Sequence, residues 1–166
     1  MNAHEEKQKK KPKLRSLLWK MGILIFISII FLFYNRSPEM PEESTVCFGE
    51  TCFTVEVATA FYERYGGLAF RAHLEPDKGM IFPFKRERDY SFWMKNMNFP
   101  LDIIFIDKEK EVKYIASNVQ PCQTEKCPSI HAGMPIMYVL ELNAGTAEEI
   151  NLNIGDKLDI YLVNEN

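Results

Sequence analysis

The stretch Phe92 to Asp107, reading FWMKNMNFPLDIIFID, restricts the possible folds of this chain more than any other. From Leu101 to Asp107 only Asp102 and Asp107 are polar. A strand apolar at odd and even positions alike is covered on both faces, so this segment belongs in the middle of a sheet. Ahead of it, Phe92, Trp93, Lys95 and Asn96 set two aromatic rings, a cation and an amide just before Pro100. No other part of the sequence interleaves polar and apolar groups so closely.

Further short strands surround this segment. Phe53, Val55 and Val57 alternate with Thr54 and Glu56, the period-two pattern of a half-buried strand. Gly49-Glu50 fits a two-residue type II′ turn, which sets Cys47 opposite Cys52 at a non-hydrogen-bonded pair. Ala58 to Tyr65 reads as a short helix with Gly66 at its C-terminus. Met80 to Phe84 reads as a strand that Pro83 places at an edge or ends. Lys108-Glu109-Lys110 turns the central strand into a hairpin partner, Glu111 to Ser117. Met137 to Leu142 and Lys157 to Val163 add two more strands. Six or seven strands with little helix predict a mostly-β fold, a compact barrel-like domain with short helical segments.

The charge is unevenly spread. Of 20 Lys and Arg and 23 Asp and Glu, the first 36 residues hold eight and two. The remainder therefore carries 12 basic and 21 acidic residues, a net of −9, which excludes a uniformly basic nucleic-acid binder. Residues 1–16 form a basic tail containing Lys7, Lys9, Lys10, Lys11, Lys13 and Arg15. Leu17 to Tyr34 is apolar apart from Lys20 and a few small or hydroxyl residues, with no polar face. Behind a basic block, such a run predicts a transmembrane signal anchor over 17–34, with the tail cytoplasmic and the lipid bilayer as its partner. The end of the run, Leu32 to Arg36, offers no small-residue cleavage site, which argues against a removed signal peptide. Residues 35–45, with Pro38 and Pro41, read as a short stiff linker, and the domain as 46–163, outside the membrane.

Both cysteine pairs, Cys47/Cys52 and Cys122/Cys127, are spaced C-x4-C. Four thiolates around one zinc would satisfy that count. An extracytoplasmic position favours two local disulfides instead, and no metal or cofactor is expected.

Several short motifs occur in a fixed order: GLAFR (Gly67 to Arg71), GMIFPF (Gly79 to Phe84), FWMKNM-x-x-PLDIIFID, NVQPC-x4-CP (Asn118 to Pro128), VLELNAG (Val139 to Gly145) and the late Gly155-Asp156. This series resembles the DUF192 (UPF0127) family across about residues 46 to 163. The resemblance implies a compact, β-rich, barrel-like domain, often exported or lipid-tethered, and no established catalytic activity. The family usually reads R-G-L-M-F-R where this chain has Gly66-Gly67-Leu68-Ala69-Phe70-Arg71, so a basic residue and a methionine are replaced. The turn after the central strand usually contains Gly and here is Lys108-Glu109-Lys110.

Lys95, Asn96 and Asp102 flank one Pro-containing bend, while Arg71 and Glu141 come from other elements of the same motif series. One reading makes them a buried ionic network that fixes register, since a lone carboxylate inside VLEL is costly to bury. The other makes them a pocket, with Tyr90, Phe92 and Trp93 as aromatic walls and Lys95 and Asn96 as polar anchors for a small polar or glycan-like ligand, or an envelope partner. A hydrolase would need Asp102 and Glu141 to converge in one cleft, and a purely structural envelope protein would have no concave site at all. No nucleophile motif, phosphate loop or C-x-x-C redox pair is present, so no catalytic residue is assigned.

Overall fold

The computed structural model describes residues 13–34 and 43–163. The chain divides into two compact units, Met1–Met40 and Pro41–Asn166. In the first, helix α1 runs over Lys13–Tyr34. Its described side chains, 18–31, are all exposed. Among the described residues no helix is long and apolar enough to cross a membrane. Residues 1–12 of the expected 1–16 tail and 35–42 of the expected 35–45 linker lie outside the described residues.

The second unit is built on seven strands: β1 Thr45–Phe48, β2 Thr51–Val57, β3 Lys78–Arg88, β4 Leu101–Ile106, β5 Val112–Val119, β6 Ile136–Asn143 and β7 Asp159–Tyr161. Helix α2 (Phe61–Gly66) follows β2, and α3 (Thr146–Glu149) follows β6. The sheet order is β5-β4-β6-β3-β2-β1-β7. All neighbours are antiparallel except β2 and β3, which run parallel with Val55 beside Gly79.

The expected central strand is β4, buried at every position between β5 and β6. The hairpin turn forms as the sequence requires: Gly49 takes φ +59°, and Cys47 pairs with Cys52. Both cysteine pairs are disulfides, with Cα–Cα distances of 4.0 Å for Cys47–Cys52 and 5.8 Å for Cys122–Cys127, so the zinc alternative falls away.

Three expectations need correction. The sheet is not closed into a barrel. At the start of β5 and ahead of β7 the chain is joined by an isolated bridge, Glu111 to Lys157, and by backbone bonds such as Val112 N–H to Asp156 O and Leu158 N–H to Lys110 O. But β7 is three residues long and forms its ladder with β1, not with β5. The strand containing Pro83 is interior to the sheet, between β2 and β6. Pro83 is tolerated because β2 ends at Val57, opposite Ile81, so β3 has only its β6 neighbour at that point. The short helix starts at Phe61, not Ala58, capped by the Glu63 carboxylate, which accepts from the N–H groups of Thr59 and Ala60 at 2.9 and 2.8 Å.

Because strand side chains alternate, the sheet buries two separate cores. Ile104, Ile106, Leu140 and Leu142 join one, with Ala147, Leu152 and Leu158 packed over it. Ile103, Phe105, Val139, Met80 and Phe82 join the other, covered by Leu68, Met94 and Met97. Asp102 lies on the first face, with no exposed surface. Its Oδ1 accepts the N–H of Asn118 at 2.8 Å and its Oδ2 the N–H of Ala147 at 2.9 Å. One carboxylate thus ties the end of β5 and the start of α3 to β4. Removing it in Asp102→Ala leaves one buried and one part-buried donor unpaired, at ~1–3 kcal/mol each. Urea denaturation is expected to show a loss of about 2–5 kcal/mol with an unchanged m-value.

Candidate functional site

On the second face, α2, the Gly66–Leu68 turn and the 90–97 segment stand around a cleft of ≈ 260 Å³. The 90–97 segment is held by its backbone. Phe92 exchanges N–H···O bonds with Ile130 at 2.8 and 2.9 Å, and the N–H of Asn96 donates to Cys122 O at 3.1 Å. The N–H of Cys122 returns to Met94 O at 2.9 Å. Met94 and Met97 plug into the core at 2% and 4% exposure, which leaves Trp93 and Lys95, on either side of Met94, on the outside. Asn96 sits at φ +59°, a left-handed conformation that asparagine tolerates better than most residues, and its carbonyl accepts from Phe70 N–H at 2.9 Å. The Cys122–Cys127 loop backs this wall, since Gln123 Nε2 donates to Met97 O. Farther along, Asp89 receives His131 Nδ1 at 3.0 Å and Gly133 N–H at 3.1 Å, a clasp that fixes the start of the wall.

The walls are aromatic. Tyr65 meets Trp93 edge-on at 5.5 Å between centroids, Tyr90 stacks on Phe84 at 3.6 Å, and Phe92 meets Phe82 edge-on at 4.9 Å. Arg64 lies 5.0 Å from the centroid of Phe84 and donates to the carbonyls of Ala58 and Pro83 at 3.2 and 2.9 Å. At the floor is Glu141, whose β6 position pairs with Met80 on β3 and Ile103 on β4. It is 5% exposed, and its carboxyl makes no hydrogen bond among the described residues. No fully enclosed side-chain oxygen or nitrogen there lacks a partner, so these two oxygens open onto the cleft. Gly67, with φ +50°, passes above them, and a β-carbon there would lie 3.8 Å from Glu141 Oε2.

Burial pushes the Glu141 carboxyl up to about 8, with the positive charge of Arg71 pulling the other way. At neutral pH it is therefore largely the uncharged acid, a hydrogen-bond donor as well as an acceptor.

Of the six residues singled out in the sequence, Trp93, Lys95 and Glu141 line this cleft together. Asn96 shapes its wall through the backbone. Arg71 does not line it. Its guanidinium grips Glu56 through two hydrogen bonds, one of them Nη2 to Oε2 at 2.8 Å, and that grip holds the Glu56 carboxyl below its usual range. Asp102 is on the opposite face from Glu141, since Ile103 and not Asp102 is the partner of Glu141 in the β4–β6 ladder. The two carboxyls therefore do not converge. The sequence reading missed Phe61, Arg64 and Tyr65, although two aromatics four residues apart on a polar helix are a visible signal of an exposed apolar face. These rings are 84% and 61% exposed at Phe61 and Tyr65, and Trp93 adds 45%.

The chain belongs to the DUF192 family, described as an uncharacterized ACR, which matches residues 44–160. A protein of unknown function from Novosphingobium aromaticivorans DSM 12444 is similar at 34% identity, covering 70% of this chain and 83% of its own, with a TM-score of 0.64. A Sinorhizobium meliloti 1021 protein, provisionally described as a transcription regulator, is also 34% identical, covering 75% and 97%, with a TM-score of 0.65. No curated protein matches.

The raised pKa of Glu141 carries a stability consequence. An open chain releases this proton near 4.5, whereas the folded chain keeps it to about 8. The stability it contributes is thus complete below pH 4.5 and lost as pH rises through 8. A carboxyl-carbon NMR titration is expected to place Glu141 near 8, and Glu141→Gln to flatten the decline in urea midpoint between those two values.

Proposed function

We propose that the domain is a non-enzymatic recognition module whose cleft takes a small, ring-shaped polar ligand of the sugar type. The observation that carries this is Glu141, a buried residue whose carboxyl has no hydrogen-bond partner among the described residues and opens onto an aromatic-walled cavity. A buried polar group is costly unless something satisfies it, and a ligand hydroxyl or ring oxygen would do so. Tyr65 and Trp93 offer ring faces and edges at the mouth, the usual fittings for stacking a sugar. The volume of ≈ 260 Å³ lies just below the roughly 300–1,000 Å³ of drug-sized sites, which suits one sugar unit. The opposed positions of Asp102 and Glu141 count against a carboxylate-pair hydrolase. The net −9 of the chain beyond residue 36 counts against nucleic acid, including the regulator role given to the Sinorhizobium relative. Ligand-observed NMR with glucose, glucosamine and glucuronate is expected to show binding by at least one sugar. Trp93→Ala should weaken it about tenfold or more, whereas Tyr62→Ala, on α2 but outside the cleft, should leave it unchanged. A Trp93→Ala chain that melts normally and binds as the parent does would refute the reading.

We further propose that residues 17–34 tether this module to a membrane, with the basic N-terminus cytoplasmic and the domain outside. The supporting facts are the apolar run over 17–34 in the sequence and the lysines that precede it. Full-length protein is expected to stay with membranes through alkaline carbonate extraction, and a chain lacking residues 1–34 to be released. Release of the full-length chain by carbonate would sink this assignment.

A further inference from the structure

The cleft runs against the charge of the domain around it. Beyond residue 36 the chain carries 12 basic and 21 acidic residues, yet the cleft lining contains two cations, Arg64 and Lys95, and a single acid. That acid is Glu141, held at the floor among Met80, Ile103 and Phe82, where a low-dielectric setting disfavours its ionised form. Neither cation forms an ion pair among the described residues, although the Glu63 carboxylate beside Arg64 lies within its electrostatic reach. Arg64 spends its hydrogen bonds on the carbonyls of Ala58 and Pro83. Lys95 is exposed at the rim and forms no ion pair among the described residues. A long lysine with a free ammonium group, next to the exposed Trp93 ring, can turn inward over whatever occupies the cleft.

We infer that the ligand is an anionic sugar, a uronic-acid-type ring bearing a carboxylate, and this rests on the sugar-recognition reading above. The ring lies against Tyr65 and Trp93. Its carboxylate meets Lys95 at the mouth, with Arg64 adding to the positive field. The uncharged Glu141 donates its proton to a hydroxyl or ring oxygen at the floor. A cationic amino sugar fits worse, because it would face two cations and could be neutralised only by ionising a carboxyl that burial keeps protonated. Charge selection of this kind needs no covalent step, and the same ring could arrive free or as the end of a polymer.

The test uses the full-length chain in detergent micelles and the three monosaccharides glucuronate, glucose and glucosamine, followed by ligand-observed NMR with competition to rank affinities. Glucuronate is expected to bind at least tenfold more tightly than glucose, and glucosamine more weakly than both. Lys95→Gln, a change at an exposed position, is expected to remove most of the preference for glucuronate while glucose binding persists. Glucuronate affinity should fall as pH is raised from 6.5 to 9, because an ionised Glu141 repels the anion and can no longer donate. That pH dependence should be absent in Glu141→Gln. Equal binding of all three sugars, or a preference for glucosamine, overturns the anionic assignment and leaves sugar recognition standing. An undiminished glucuronate preference in Lys95→Gln overturns it as well. Failure of all three to bind overturns both.

Discussion

Two carboxyl groups on neighbouring strands are one residue out of step, and the two-residue period of a β-strand sends them to opposite faces of the same sheet. Asp102 goes to the face capped by α3, where two backbone N–H groups await it. Glu141 goes to the face covered by α2 and the 90–97 segment, where it has no hydrogen-bond partner among the described residues. The same alternation divides the hydrophobic residues of β4 and β6 into two cores. A slip of one residue between these strands would make Asp102 the partner of Glu141, bringing both acids to one face and taking one of them out of its proper surroundings. Register is thus the quantity on which both the stability of the domain and the character of its cleft depend.

The wall of the cleft shows how a loop becomes rigid enough to recognise a ligand. The 90–97 segment has little regular structure, yet it is paired to Ile130 on one side and to Cys122 on the other. Buried methionines pin it from below, while the disulfide and the Asp89–His131 clasp fix the two segments it leans on. Residues displayed from such a segment keep their geometry without belonging to a strand, so little entropy remains to be lost when a ligand arrives.

Much of this was legible in the sequence, because local physics dictates it. The doubly apolar run of Leu101 to Ile106 declared a central strand, and Gly49 declared the hairpin that brings Cys47 to Cys52. The spacing of the motifs marked out the domain. What could not be read depends on contacts between distant segments. The parallel pairing of β2 with β3 needs knowledge of the crossover through α2, and without it Pro83 looked like an edge residue. The brevity of β7, which leaves the sheet open, is set by where the chain leaves its neighbour β1. Arg71 and Glu141 share a motif series, but whether they touch is decided by Glu56, which claims the guanidinium for itself. Trp93 and Lys95 were recognisable as candidates because polar and aromatic residues stood together there. Their partners on α2 were not, since nothing in FYERY reveals what the helix faces.

Gly67 offers a last consequence. The backbone crosses above Glu141 with no side chain, in a left-handed turn that glycine favours. A β-carbon added at this position would sit 3.6 Å from the Phe82 ring and 3.8 Å from the Glu141 carboxyl, so no outright clash forbids one. Larger groups would reach into the space over the acid. The entrance to the floor is therefore controlled by one residue that contributes nothing to the floor itself. A side chain at that position would narrow the entrance only against backbone strain at φ +50°, so the opening over the buried acid is tied to the glycine itself.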